Sequence, residues 1–224
     1  MAALHHVFVT GGTGYLGSRL IPLLLSRGHR VRALVRGIRP APAACETIIG
    51  DALDAATFSE RVAPCDTFVH LVGTPHPSPS KAAEFERVDM ASVLAAVGAA
   101  RAGGVTHFIY VSVARPAAIM AAYVSVRARG EATIREAGIP ATFLRPWYVL
   151  GPGHRWPHAL APLYWAMKAL PATRETAQRL DLVTLPRMLG ALVQAVESPP
   201  AESPRIWDVP RLRLAPALQP PRVR

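Results

Sequence analysis

Tyr123 and Arg127 lie four residues apart in AYVSVRARGEATIREAG, a stretch with the pattern of a helix. On a helix that spacing places both side chains on one face, a phenol beside a permanent positive charge. A phenol can give or take a proton, and a neighbouring cation favours its ionised form. The chemistry this permits is acid–base catalysis. The same spacing also fits an ordinary helix surface, with the Tyr123 ring packed in a cleft and Arg127 paired with Glu131 one turn later.

A second cluster lies near the start, in VFVTGGTGYLGSRL at residues 7–20. Gly12, Gly14 and Gly17 give G-x-G-x-x-G, and Gly11, Gly14 and Gly17 give the overlapping G-x-x-G-x-x-G. Between a strand and a helix, either register lets the backbone approach a pyrophosphate, with the helix N-terminus supplying amide donors. Glycines also serve tight turns for conformational reasons alone. An acidic residue after the second strand would select a free ribose, but none occurs between Ser18 and Cys45. Arg36 closes RALVR instead and Arg19 opens the first helix, so a guanidinium is available to a 2′-phosphate. This favours NADP(H) and leaves NAD(H) open, as it leaves open an exposed Arg36 without a ligand.

These residues need elements to hold them, and the pattern supplies an alternation of strands and helices. Strands are expected at residues 6–10, 30–35, 47–49, 67–71, 107–112 and 141–144. Helices are expected at 15–27, 55–62, 81–101 and 121–137, with glycine stops at Gly28, Gly103 and Gly138. Short β-α connections imply a parallel sheet with helices on both faces, a Rossmann-type doubly wound α/β fold. After Pro146 the pattern weakens to a turn-rich loop, an aromatic helix at 158–170, a helix at 185–197 behind the possible cap Thr184, and a last strand at 205–209. Residues 1–209 read as one domain, with 146–209 as a small C-terminal appendage lining the cleft. The Pro/Arg-rich tail, 210–224, reads as frayed.

Composition excludes several classes. The chain of 224 residues is half hydrophobic, enough for one sizeable core. Its formal charge of +10 is spread along the chain without a nucleic-acid-binding motif, so no specific nucleic-acid partner is expected. No apolar run reaches the roughly twenty residues of a membrane span, and residues 7–9 read as core rather than leader, which implies a cytoplasmic protein. Cys45 and Cys65 match neither a metal site nor a disulfide framework. His154 and His158 share helical spacing that Pro157 interrupts, so no metal is expected.

TGGTGYLG at 10–17, VRALVRG at 31–37, GD at 50–51, YVSV at 110–113 and LRPWYVLGPG at 144–153 together resemble the short-chain dehydrogenase/reductase superfamily. The likeness is to its extended and atypical branch of NmrA-like and epimerase/dehydratase-like NAD(P)-binding proteins. The resemblance implies a cofactor cradle of Gly11, Thr13, Gly14, Tyr15, Leu16 and Gly17. It puts Asp51 at the adenine, Leu71 and Gly73 beside the ribose, and Pro146 and Tyr148 near the nicotinamide. Active members pair a proton-exchanging tyrosine with a lysine four residues on and a serine that orients the substrate oxygen. Tyr123 and Ser112 match two of these roles, and Arg127 stands where the lysine is expected. Arginine retains the charge but is planar and does not readily hand on a proton.

The implied activity is NADP(H)-dependent oxidation or reduction of an alcohol or carbonyl on an unidentified small molecule. Trp147, Tyr148, His154, Trp156 and Tyr164 would line its pocket, unless they serve only packing. Two alternatives stay open: a non-catalytic NADP(H)-binding redox sensor or assembly factor with a protein partner, and an isomerase of the sugar-nucleotide epimerase type.

Overall fold

Consecutive residues of β1 (His6–Thr10) point to opposite faces of a sheet, and both faces are apolar, as a sheet covered on two sides requires. Val7 and Val9 join a core with α1 (Gly17–Ser26), whereas Phe8 joins the core on the other face. The computed structural model describes residues 3–37, 45–115, 120–153 and 180–221. In it β1 is followed by β2 (Arg30–Val35), β3 (Glu46–Ile49), β4 (Thr67–His70), β5 (His107–Val111) and β6 (Ala141–Leu144). Next come β7 (Tyr148–Leu150), β8 (Leu182–Thr184) and β9 (Arg205–Trp207).

Seven strands form one parallel sheet in the order β3-β2-β1-β4-β5-β6-β9. The chain moves outward from β1 to β3, then returns to the other side of β1 as β4. Such a reversal opens a crevice at the carboxyl ends of β1 and β4, where ligands bind in open α/β sheets. Register across it is set by a row of aromatic side chains. Phe8, Phe68 and Phe108 are aligned on β1, β4 and β5, with neighbouring ring centroids 5.1 Å apart. Stacked cross-strand pairs of this kind favour one pairing over a slipped one. They therefore bring Thr10, His70 and Tyr110 level at the crevice.

Helices cover both faces. One carries α1 and α5 (Leu185–Glu197), and the other carries α3 (Ala91–Ala102). Ahead of α3 the helix expected at 81–101 is compound: a 3₁₀ turn at Pro79–Lys81, α2 (Ala82–Glu84), and a π-helical turn at Phe85–Met90. The helix expected at 55–62 is two 3₁₀ turns, Ala55–Thr57 and Ser59–Arg61, the first capped by the Asp54 carboxylate. Tyr123 and Arg127 lie on α4 (Ala121–Glu136).

The appendage has a two-stranded parallel sheet, β7 with β8, that the turn-rich sequence after Pro146 conceals. Thr184 occupies the N-cap position of α5 but makes no side-chain cap bond; Pro186, at the helix start, supplies the preset backbone angle. The last strand ends at Trp207 rather than 209, and where fraying is expected, from residue 210, the chain instead continues in α6 (Val209–Leu214), which buries Val209 and Leu212. The chain then runs along α5, with the Leu218 amide donating to the Pro186 carbonyl at 2.9 Å. Three apolar contacts, those of Val209, Leu212 and Ala215, outweigh the proline and arginine content there.

Candidate cofactor site

Beyond Thr10 the chain turns sharply, with the Gly14 amide donating to the Gly11 carbonyl at 3.0 Å. Helix α1 begins at Gly17, pressed so closely against the turn that a Cβ there would strike the Gly11 carbonyl oxygen and lie 2.7 Å from the Gly12 Cα. The turn thus needs glycine for close backbone approach. The first amides of α1 bond back into the turn, Ser18 to the Gly14 carbonyl at 3.0 Å and Arg19 to that of Leu16 at 3.1 Å, which fixes the positive end of the helix against the crevice.

A cavity of about 420 Å³ opens beside this turn. It gathers Gly11, Thr13, Gly14, Arg36, Asp51, Leu71 and Gly73 from the loops after β1, β2, β3 and β4. Its size falls in the range of small-molecule sites. A glycine-lined wall, an arginine at the end of β2 and no carboxylate at that strand end fit the adenosine and pyrophosphate half of a dinucleotide. The Asp51 carboxylate bends back to accept from the Leu53 amide at 3.0 Å. The remaining predicted residues lie outside the lining. Gly17 sits beneath the turn, Leu16 packs on the core, and Tyr15 leans toward Tyr148 and Gly151 of the appendage with Arg19 over its ring.

Arg127 stands beside Tyr123 but departs from the ion pair expected for it. Glu131 is not its partner; its Nη2 lies 2.6 Å from Asp89 Oδ1, and its Nη1 donates to Tyr110 Oη at 3.2 Å and the Val111 carbonyl at 3.1 Å. The reason is geometric: Asp89 comes from the π-helical turn, directly across α4, and Glu131 is already occupied. Arg127 and Asp89 are both buried, and Asp89 Oδ2 also accepts from the Thr74 amide and hydroxyl at 3.0 and 2.6 Å. Burial opposes the arginine's charge, but the Tyr110 and Tyr123 phenols and the Asp89 carboxylate outweigh it, so its pKa is raised. The guanidinium lies 5.2 Å from the Tyr123 ring centroid, close enough for a cation–π contact. Tyr123 is half-buried and also packs on Phe85, ring centroids 4.9 Å apart.

Glu131 is fully buried one helical turn beyond Arg127. It accepts from Arg145 Nε at 2.8 Å, pairs with Arg115 at 2.6 Å, and takes Arg135 Nη2 at 3.0 Å. Burial acts to raise its pKa, but hydrogen bonds from Arg145, Ser112 and Arg115 outweigh that and lower it to about 2. The carboxylate therefore ties α4 to the loops after β5 and β6. Those loops hold the buried Ser112, whose amide donates to Leu144 at 2.7 Å, and the buried Pro146, whose carbonyl accepts from Ala114 at 3.1 Å. Tyr148 opens β7.

Below the crevice, His70 Nδ1 is 2.8 Å from Thr10 Oγ1 and Nε2 is 3.2 Å from Ser92 Oγ. Burial, aided by the Arg127 charge, lowers its pKa to about 3, so it bridges the strands as a neutral ring. Sequence reasoning passed over Asp89 and Arg87, the latter lining the cavity from the π-helical turn. A plain 3.6-residue period cannot place either, because the wider turn shifts the helical phase. His154, Trp156 and Tyr164 lie outside the described residues. Among the described residues no cluster of histidine, cysteine, aspartate or glutamate is arranged to hold a metal. Nor does any described helix have the length and apolarity to cross a membrane.

Comparison with known proteins follows the same lines. The model of the NAD dependent epimerase/dehydratase family matches residues 7–118. Ceramide reductase of Caulobacter vibrioides is 27% identical over 209 residues, covering 92% of this chain and 65% of the relative. The 4-hydroxy-2-methyl-3-oxo-4-farnesyl-3,4-dihydroquinoline-1-oxide ketoreductase of Stigmatella aurantiaca is 34% identical over 109 residues, covering 47% and 32% respectively. The chain thus spans less than two thirds of either relative. Among solved structures, the Bordetella bronchiseptica enzyme WbmH in complex with NAD+ superposes with a TM-score of 0.66 at 20% identity, covering 88% of this chain and 73% of that one. That likeness shows the Rossmann-type fold.

Proposed function

The chain belongs to the NAD dependent epimerase/dehydratase family, and from that premise we propose that it is an NADP(H)-dependent oxidoreductase acting on a carbonyl or alcohol of a small molecule. The observation that carries this reading is the cavity that unites the glycine turn with Arg36 at a strand end free of carboxylates. A guanidinium there matches a 2′-phosphate by charge and by geometry. Two relatives named as reductases support the direction of the chemistry.

In this reading the bound nicotinamide supplies or accepts hydride. Tyr123 exchanges the proton at the substrate oxygen, and Ser112 orients that oxygen once its hydroxyl turns from Glu131. Arg127, fixed beneath the tyrosine by Asp89, contributes charge and rigidity but relays no proton. The test is NADPH consumption across a panel of aldehydes and ketones. Wild type turns over at least one of them, and Tyr123→Phe keeps cofactor affinity while losing about 100-fold or more in rate. Equal rates in the two proteins refute the role of Tyr123.

The buried Arg127–Asp89 pair also favours a second reading, a cofactor-binding protein without turnover that reports redox state to a protein partner. Tight NADPH binding with no consumption on any member of the panel selects it.

A further inference from the structure

The π-helical turn at Phe85–Met90 distributes its side chains in three directions. Phe85 packs on Tyr123, Asp89 enters the buried pair with Arg127, and Arg87 with Val88 faces the cavity. A π turn places one more residue in the helix than an α turn would, and such turns are frequent at functional sites. Arg87 thus reaches the cavity from the helix following β4, whereas Arg36 reaches it from the loop following β2.

The cavity's charges do not cancel one another in place. Its carboxylates are Asp51 and Glu84. Asp51 is turned onto the Leu53 amide, and Glu84 lies 4.0 Å from Lys81. Among the described residues neither Arg36 nor Arg87 takes part in an ion pair or side-chain hydrogen bond, and both are exposed. A pyrophosphate at the glycine turn is served by backbone amides, so two guanidiniums exceed what an unphosphorylated dinucleotide needs.

Resting on the NADP(H) reading above, we propose that Arg87 is a second specificity determinant, closing with Arg36 on the 2′-phosphate of the adenosine ribose from the opposite element. Two forks from separate elements form more charge-assisted bonds to three phosphate oxygens than one can. They also make the preference robust to loss of either one.

Isothermal titration with NADPH, NADH, 2′,5′-ADP and 5′-AMP separates the possibilities. Arg87→Ala weakens NADPH and 2′,5′-ADP by about tenfold and leaves NADH and 5′-AMP unchanged. Arg36→Ala does the same, and the double variant removes the preference for the 2′-phosphate. Arg101→Ala, an exposed cation on α3 outside the cavity, changes nothing and controls for net charge. If Arg87→Ala binds NADPH like wild type, or loses NADPH and NADH equally, the assignment is overturned. Failure of the underlying reading looks different: wild type then binds neither dinucleotide, or binds NADH as tightly as NADPH.

Discussion

The Arg127 guanidinium meets the Asp89 carboxylate at 2.6 Å in a buried space that Gly73 leaves open. A Cβ on Gly73 would collide with Arg127 Nη2 and lie 3.2 Å from Asp89 Oδ1. Three segments therefore depend on one another there: the end of β4, the π-helical turn and α4. The arrangement joins the wall of the candidate cofactor cavity to the helix that carries Tyr123.

Gly73→Ala forces that guanidinium to move against its three partners, Asp89, Tyr110 and the Val111 carbonyl. Overpacking of this kind costs about 1–3 kcal/mol, read as a lower urea midpoint. In an Arg127→Lys background the same substitution costs less, because the shorter, narrower ammonium side chain leaves room for the methyl group. An identical cost in both backgrounds contradicts the steric account.

Arg127→Ala strands the Asp89 carboxylate inside the protein. Removing one partner of a buried pair costs about 3–5 kcal/mol, which equilibrium denaturation measures. Adding Asp89→Asn recovers part of the loss by neutralising the orphaned charge. A double variant no more stable than Arg127→Ala would mean that the pair is not coupled.

Glu131 stabilises three guanidiniums, and Glu131→Gln leaves them without their shared anion at a cost of about 3 kcal/mol. Its pKa is about 2 in the folded protein against an ordinary 4.5. For a depressed carboxyl the contribution is complete above the unfolded value and is lost as pH falls toward the folded one. The stability gap between wild type and variant is thus constant from pH 7 to about pH 5 and narrows at lower pH. A gap that widens on acidification rules out this role.

Much of this was legible in the chain. Residues 30–35, 141–144 and 185–197 are bounded in the sequence as they are in the fold, because apolar period and glycine or proline stops coincide there. The glycine turn and Arg36 could be named by motif and strand end, and Asp51, Leu71 and Gly73 by the resemblance; the fold brings Gly11, Thr13 and Gly14 of the turn round one cavity with the other four. Asp89 and Arg87 could not be named, since the π turn that directs them leaves no mark in a 3.6-residue pattern. The partner of Arg127 was misjudged for a related reason. Spacing along α4 pointed to Glu131, but Arg115, Arg135 and Arg145 hold that carboxylate.

His70 and His107 make the fold acid-labile. Burial lowers the pKa of each from 6.5 to about 3, helped by Arg127 at His70 and Arg205 at His107. Between those values the unfolded chain binds protons that the folded one refuses, so stability rises with pH and is lost as pH falls from about 6.5 toward 3. Each ring contributes up to about 1.4 kcal/mol per pH unit within that window. His107→Gln, which retains a side chain able to bond Thr142 across 2.9 Å, flattens the dependence between pH 6 and 5. An unchanged slope in the variant means that His107 titrates normally.

Direct titration of the wild-type protein with NADPH and NADH, repeated on Arg36→Ala, tests the central claim. The expected result is tighter binding of NADPH than NADH, with Arg36→Ala lowering NADPH affinity by about tenfold and leaving NADH unchanged. Equal affinity for both cofactors, unaltered by the substitution, contradicts the 2′-phosphate assignment; binding of neither contradicts the cofactor site itself.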